Sequence, residues 1–416
     1  MISPYESYVY AYPHKTAYRP LDPRHELTEV WRGERAGSFY AHIPFCEMRC
    51  GFCNLFTRTG APEDLVAAYL DALERETLAL SGALDPAFAT AAIGGGTPTY
   101  LSPSELGRLF DITGKLVPYG SIPLSVETSP ATATADRLGV LRERGTTRVS
   151  IGVQSFLDEE ARSAVRPQKL AEVEQALDAI RATGFPILNI DLIYGIDGQT
   201  PASWLHSLTT ALRWRPEELY LYPLYVRPLT GLGKIGRDWD DQRMELYREG
   251  RDFLLAQGYE QVSMRMFRLP GTGTTTDYCC QTDGMASVGC GARSYTSTLH
   301  YSHEYAVGAR HVRSIIDDYV RRDDFTQALI GFPVPPAEQR RRHTIQSLLQ
   351  KDGLDLALYR ARFGDEPDVS AVPGHWLVRG EGMLRLTDEG LAHSDAVGPA
   401  LFSGEVRALM AGHDAR

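Results

Sequence analysis

The chain has 416 residues, 43% hydrophobic and 23% charged, a balance that belongs to a globular protein and excludes wholesale disorder. Its net charge of −10 argues against holding nucleic acid by phosphate neutralisation. No run approaches the roughly 18 apolar residues of a membrane span, and the opening Met1-Ile2-Ser3-Pro4-Tyr5-Glu6 lacks the basic and apolar regions of a signal peptide, so a cytoplasmic enzyme is expected.

In chain order, residues 1–36 read as an irregular arm rich in Tyr, Pro and charge. Residues 38–43 are aromatic and β-branched and predict a strand. It feeds Cys46, Cys50 and Cys53, a cluster that reads first as a metal or catalytic site because cytosolic chains seldom use disulfides. Leu65, Tyr69, Leu73 and Leu80 predict a helix over 64–80, stopped by Gly82. A strand at 90–93 runs into Gly94-Gly95-Gly96-Thr97-Pro98-Thr99, and Ser102-Pro103-Ser104-Glu105 caps the helix that follows. Strands at 123–128, 148–156, 187–194 and 218–225 then alternate with helices at 135–144, 170–183 and 204–214. About six such units, each roughly 30 residues long, predict parallel pairing through right-handed crossovers. The fold class is therefore α/β: a partial (β/α)6 TIM-like barrel, whose ligands sit at the carboxyl ends of the strands.

Beyond residue 227 come a glycine-rich connection, a helix at 241–257, and a Gly/Thr-rich stretch before Cys279, Cys280 and Cys290. From 306 the chain turns charged, with amphipathic surface helices at 338–349 and 354–363 and a small strand at 383–387. Four regions follow: an arm over the active site (1–36), the barrel (37–232), an extension beside the substrate (233–305) and a smaller, mostly helical C-terminal domain (306–416).

Three soft thiolates on one tight loop select an iron–sulfur cluster or zinc. Structural zinc wants a fourth ligand, for which His42 is the nearest candidate. A three-thiolate [4Fe–4S] cluster instead leaves one iron open to a ligand. Glu127, Gln154, Arg166 and Asp191 fall at or just beyond successive strand ends, and Asp191 stands in an apolar run where a carboxylate needs a partner.

The string Tyr40-Ala41-His42-Ile43-Pro44-Phe45-Cys46-Glu47-Met48-Arg49-Cys50-Gly51-Phe52-Cys53 resembles the cluster loop of radical S-adenosylmethionine (SAM) enzymes. More narrowly it resembles the oxygen-independent coproporphyrinogen III oxidase-like branch, whose loop reads Tyr-x-His-Ile-Pro-Phe-Cys. The resemblance implies that Cys46, Cys50 and Cys53 hold a [4Fe–4S] cluster that reduces SAM to a 5′-deoxyadenosyl radical. It assigns the SAM ammonium to Gly95, Gly96 and Thr97, the ribose and methionine parts to Glu127, Gln154 and Asp191, and the carboxylate to Arg166. By the same resemblance Tyr40 would lie against cluster and SAM. Phe52, Ile193, Gly289 and Gly291 match the border of a second SAM site, which in methyltransferases of the branch supplies the methyl group.

The function expected is radical tailoring of a small organic or natural-product substrate by methyl or methylene transfer, with a flavodoxin- or ferredoxin-like one-electron donor and a monomeric chain. Alternatives are hydrogen abstraction without methylation (oxidative decarboxylation, rearrangement or sulfur insertion) and non-catalytic haem binding through His14, His42, His300 or His303. His300 and His303 are also candidate proton or hydrogen donors to substrate. True coproporphyrinogen dehydrogenases carry a further cysteine where this chain has Leu55. Arg340-Arg341-Arg342-His343 reads as a solvated helix face.

Overall fold

The computed structural model describes residues 4–227, 229–234, 241–272 and 280–413. Strands β1 (Arg19–Glu26), β2 (Ala36–Ile43), β3 (Pro86–Gly95), β4 (Leu124–Thr128), β5 (Arg148–Gln154), β6 (Ile187–Tyr194), β7 (Glu218–Pro223), β8 (Glu260–Gln261), β9 (Met266–Arg268), β10 (Met285–Val288), β11 (Arg293–Tyr295), β12 (Leu299–Ser302) and β13 (Gln327–Pro333) join one 13-stranded sheet. Its spatial order is β1-β13-β12-β11-β10-β2-β3-β4-β5-β6-β7-β9-β8. β2 to β7 run parallel, as the repeating units require. β10 adds a further parallel strand beside β2, and the flanking strands are antiparallel.

Helices α1 (Glu63–Ser81), α2 (Pro103–Thr113), α3 (Ala135–Glu143), α4 (Leu170–Thr183) and α5 (Pro201–Ala211) make the crossovers. Local chemistry sets their ends. Ser102 and Glu105 close a capping box ahead of Pro103 at the start of α2, and Gly184 ends α4 in the left-handed region at φ 74°.

Strand residues alternate between two environments because successive side chains point to opposite faces. Ile93, Val126, Val149, Ile151, Leu188, Ile190, Leu219 and Leu221 are fully buried in the main core. The intervening positions hold Ser125, Glu127, Arg148, Ser150, Asn189, Asp191, Glu218, Tyr220 and Tyr222, which give the barrel a polar interior. An all-parallel sheet usually reads apolar on both faces, so this alternation marks a lumen built for ligands.

The arm is more ordered than its composition suggests: its last part is β1, hydrogen-bonded to β13 at the sheet edge. The expected break at 306 also moves. Val312, Ile316 and Tyr319 of helix Ala309–Arg321 pack into the main core, while a second core gathers Phe332, Val334 and later residues around Val9, Tyr12 and Tyr18 of the arm. That second unit carries a three-stranded sheet, Leu354–Asp355, Leu377–Gly380 and Met383–Leu386, among its helices. The Arg340–His343 run is not a solvated face throughout. Arg342 is 1% exposed and donates to His300 Nε2 at 2.7 Å and to the Thr296 and Ser297 carbonyls. Buried Asp395 ties three parts together by accepting from Arg265 and Tyr225, while its carbonyl takes the Ser7 N–H. No helix among the described residues is long and apolar enough to cross a membrane.

Candidate functional site

The site grows from the end of β2. Strand register sets His42 beside Gly94 and Ile43 beside Gly95, so the cysteine loop leaves β2 directly against the glycine turn leaving β3. Each glycine is required by a close approach. A Cβ on Gly94 would meet the Glu127 carboxyl group at 2.7–2.9 Å. One on Gly95, which also has φ +118°, would meet the His42 ring at 2.7–2.9 Å, and one on Gly96 would meet Phe45 O at 2.6 Å and Cys46 Sγ at 2.9 Å. The N–H groups of Gly96 and Thr97 donate to Ile43 O and Phe45 O at 2.7 and 2.8 Å, binding the two loops together.

Each cysteine of the loop has a donor or a hydroxyl beside it. Thr97 Oγ1 donates to Cys46 Sγ at 3.5 Å, Arg166 Nη1 donates to Cys50 Sγ at 3.0 Å, and Thr57 Oγ1 lies 3.8 Å from Cys53 Sγ. Burial pushes the Cys46 thiol up to about 12 in the absence of a bound cation. Arg166 also donates to Gly152 O at 2.5 Å and Gln168 Oε1 at 2.6 Å. Three of its five N–H groups are thus engaged, which fixes the guanidinium beside the cysteine loop and leaves two for a ligand.

His42 is excluded as a metal or haem ligand. Its Nε2 donates to Phe56 O at 3.1 Å, its Nδ1 accepts from the Tyr40 hydroxyl at 3.2 Å, and Gly95 and Gly291 wall in the ring. Burial lowers its pKa to about 4, so it is neutral. The other histidines are engaged too. His14 meets Tyr10 and Thr16, His300 accepts from Arg342, and His303 pairs with Glu76 at 2.7 Å. His300 is fully buried, and His303 lies against α1 with Glu76 and Tyr319. His303→Gln is expected to lower stability by about 1–2 kcal/mol in denaturant unfolding and to leave 5′-deoxyadenosine yield unchanged.

Across the strand ends, Glu127 accepts from the Gly95 N–H at 3.0 Å and opens onto the lumen. Its recessed setting, with Asp191 nearby, raises its pKa to about 7 despite that hydrogen bond and Arg148. Asp191 accepts from Asn189 Nδ2 at 2.7 Å and from Ser150 Oγ at 3.3 Å, and burial raises its carboxyl as well. Gln154 stands at a bulge with φ 71°, its amide against Gly152. Arg148 holds Glu218 at 2.6 Å and Ser125 at 2.9 Å. Sequence reading gave no role to Ser125, Arg148, Ser150, Asn189 or Glu218, although their period-two placement against buried apolar residues was the available signal. Phe52 and Ile193 share an apolar cluster with Ala164, Ile196 and Leu224, while Gly289 and Gly291 pack on His42. Cys290 is a buried thiol in the core; Cys279 and the Cys280 side chain lie outside the described residues.

Residues 40–211 match the Radical SAM superfamily. Over 245 residues the chain is 34% identical to the heme chaperone HemW of Bacillus subtilis, covering 56% of this chain and 64% of that protein. Over 276 residues it is 30% identical to the oxygen-independent coproporphyrinogen III oxidase of Pseudomonas aeruginosa, covering 64% and 60%. The structure superposes on that of coproporphyrinogen III oxidase (HemN) from Escherichia coli with a TM-score of 0.76 and 24% identity, over 90% and 92% of the two chains. Residues 40–211 thus match a radical SAM domain, and the chain has the HemN fold. The alignments span about 60% of the length of those two curated relatives.

A radical SAM protein works with a [4Fe–4S] cluster and SAM, and the site suits both. Among the described residues no three His, Cys, Asp or Glu side chains close in as the ligands of a single metal ion. Thiols that address separate corners of a cubane must stand further apart than ligands of one ion, and soft thiolates with charged and hydroxyl donors beside them fit an iron–sulfur cluster. Those relatives are named as oxidases and haem chaperones, so the expectation of natural-product methyl transfer finds no support and gives way to the reading below.

Proposed function

We propose that this radical SAM protein is an oxidoreductase that abstracts hydrogen from an organic substrate enclosed in the barrel lumen, in the manner suggested by its coproporphyrinogen oxidase relatives. The observation that supports the reading is the placement of Cys46, Cys50 and Cys53 after β2, with Glu127, Gln154 and Asp191 on the neighbouring parallel strands β4, β5 and β6. When bound, the cluster and SAM supply one-electron cleavage to a 5′-deoxyadenosyl radical. The chain's own residues do the rest. Arg166 and Thr97 steady the thiols, and the glycine turn brings backbone close to the ligand while fixing the Glu127 carboxylate. Glu127 and Asp191 offer acceptors to ribose hydroxyls and to the cationic end of SAM. Tyr40, held by His42, sits beside them, and the arm covers the opening and excludes water. A small flavodoxin- or ferredoxin-like protein would deliver the electron.

Anaerobic reconstitution, reduction and SAM should give 5′-deoxyadenosine, with the Cys46→Ala, Cys50→Ala and Cys53→Ala chains each falling to background. Wild-type chain that binds SAM yet yields no 5′-deoxyadenosine with any reductant would sink the reading. Likeness to a haem chaperone supports a second reading, haem binding. The prior engagement of His14, His42, His300 and His303 predicts that any Soret shift on adding haem survives substitution of all four.

A further inference from the structure

The Gly289–Gly291 turn is held from two sides. Parallel pairing of β10 with β2 sets Val288 beside Ala41, so the chain leaving β10 runs onto His42. A Cβ on Gly289 would meet His42 O at 2.5 Å, and one on Gly291 would meet His42 Nε2 at 2.7 Å. Both glycines lie in the left-handed region, at φ 97° and 102°. Two such residues in three make a turn with little conformational preference of its own. On one side this turn walls in the His42 ring, whose Nδ1 accepts from the Tyr40 hydroxyl at 3.2 Å.

On the other side stands Glu76 of α1, the helix that follows the cysteine loop. Its buried carboxylate accepts from the Gly289 N–H at 2.6 Å, the Tyr319 hydroxyl at 2.6 Å and His303 Nε2 at 2.7 Å. Burial opposes the charge, yet His303 beside it and the bonds from His303, Tyr319 and Gly289 hold the carboxyl below its ordinary value. Tyr69 of the same helix donates to His42 O at 2.8 Å. α1 therefore grips both partners of the contact, His42 through Tyr69 and Gly289 through Glu76. An apolar side chain at 76 would fill a helix–sheet interface with no charge to desolvate. What it would lack is an acceptor for the Gly289 N–H. A cavity of about 30 Å³, lined by Ser287, Gly289, Ser294 and His303 among others, adjoins the carboxylate. The turn thus has room to relax once that acceptor is withdrawn, and the His42 ring loses its wall when it does.

We infer that Glu76 is a positioning residue for the radical chemistry: from the helix layer it fixes the Gly289–Gly291 turn against His42, and through that ring it sets the Tyr40 hydroxyl. The link from Tyr40 to the reaction rests on the radical reading, while the link from Glu76 to Tyr40 does not. His303 and Tyr319 steady the carboxylate. His303→Gln keeps a donor to it, in accord with the unchanged yield expected of that chain.

Two substitutions separate reach from charge. Glu76→Gln keeps an oxygen for Gly289 and Tyr319 and turns its amide to His303, whereas Glu76→Asp keeps the charge on a side chain one methylene shorter. On the reconstituted full chain, hydrogen exchange read by mass spectrometry follows peptides covering 285–295 and 38–43, and 5′-deoxyadenosine formation at varied SAM gives kcat and KM. Glu76→Asp should exchange roughly tenfold faster in both peptides and lose roughly tenfold in kcat, with KM and iron content close to wild type. Glu76→Gln should match wild type in every readout. Tyr319→Phe removes one bond to the same carboxylate but leaves Gly289 its acceptor, so it should lower stability and spare kcat. In a Tyr40→Phe background Glu76→Asp should lower kcat no further. Wild-type exchange in Glu76→Asp, fast exchange or lost rate in Glu76→Gln, a Tyr319→Phe chain as slow as Glu76→Asp, or additive losses in the double variant would each overturn the inference. Should Glu76→Asp fail to fold, Glu76→Gln, which loses no contact, still decides it: wild-type behaviour supports the acceptor role and a loss ends it. A wild type that makes no 5′-deoxyadenosine would remove the radical reading, and the exchange comparison would then decide the Glu76 contact by itself.

Discussion

Gly96→Ala is expected to yield a folded chain that cannot organise its cysteine loop. The added methyl would sit 2.6 Å from Phe45 O and 2.9 Å from Cys46 Sγ. Neither neighbour can give way easily. Phe45 is fully buried, its carbonyl already accepts from Thr97 N–H, and Gly96 N–H is tied to Ile43 O at 2.7 Å. Overpacking of this kind costs about 1–3 kcal/mol, and here it can be relieved only by moving Cys46 away from its partners. Iron and sulfide per chain after anaerobic reconstitution should fall to less than roughly a tenth of wild type, with the far-ultraviolet spectrum unchanged. Gly107→Ala is the control. It lies in the interior of α2 with its nearest neighbour, the end of the Arg144 side chain, 3.8 Å away, so it should leave iron content alone and stabilise by about 0.5–1 kcal/mol. Wild-type iron content in Gly96→Ala would remove the geometric account of the glycine turn.

What could be read in advance follows from which interactions are local. α1 and α4 declare themselves by apolar spacing and by glycine stops, and the observed Glu63–Ser81 and Leu170–Thr183 lie within a residue of the expected bounds. The six parallel strands follow from βα alternation, and the cysteine spacing and glycine turn mark one end of the sheet. Long-range pairings carry no such mark. β1 looks irregular because Pro20 and Pro23 interrupt it, and only its partner β13, some 300 residues away, makes it a strand. Arg342 sits in a run of charge that reads as solvated, yet its side chain ends on His300 and two carbonyls of a turn about 45 residues earlier. Arg166 is legible as a functional arginine, but its contacts within the chain are not: the guanidinium meets Cys50, Gly152 and Gln168. The lumen residues Ser150 and Asn189 were in plain view at period two. A short polar residue in a strand has several uses, and the Asp191 carboxylate is what gives these two theirs.

Glu127→Gln should cost roughly 30- to 150-fold in SAM affinity, about 2–3 kcal/mol, the range for a charged hydrogen-bond partner lost from a recessed site. The amide would keep the shape of the side chain but remove the charge that faces the SAM cation. The wild-type affinity should also depend on pH in a direction set by the carboxyl group. Its pKa is raised by its recessed position and by Asp191, against the Gly95 N–H and Arg148, to about 7 from an ordinary 4.5. Below pH 7 the ligand-free site is mostly protonated, so binding a cation must expel a proton; above it the carboxylate is already present. The wild-type advantage over Glu127→Gln should therefore shrink about tenfold per pH unit below 7 and level off above 8. Taking the ratio of the two chains cancels the titration of the SAM amine, which both experience. Stability of the ligand-free chain runs the opposite way. The unfolded carboxyl ionises near 4.5 and the folded one near 7, so relative to Glu127→Gln the wild type should lose stability as pH rises through that window. A flat affinity ratio between pH 6 and 8 would show that Glu127 meets SAM, if at all, as a neutral acid, and would move the cation's counter-charge to Asp191, whose own carboxyl is raised by burial and steadied by Asn189 and Ser150.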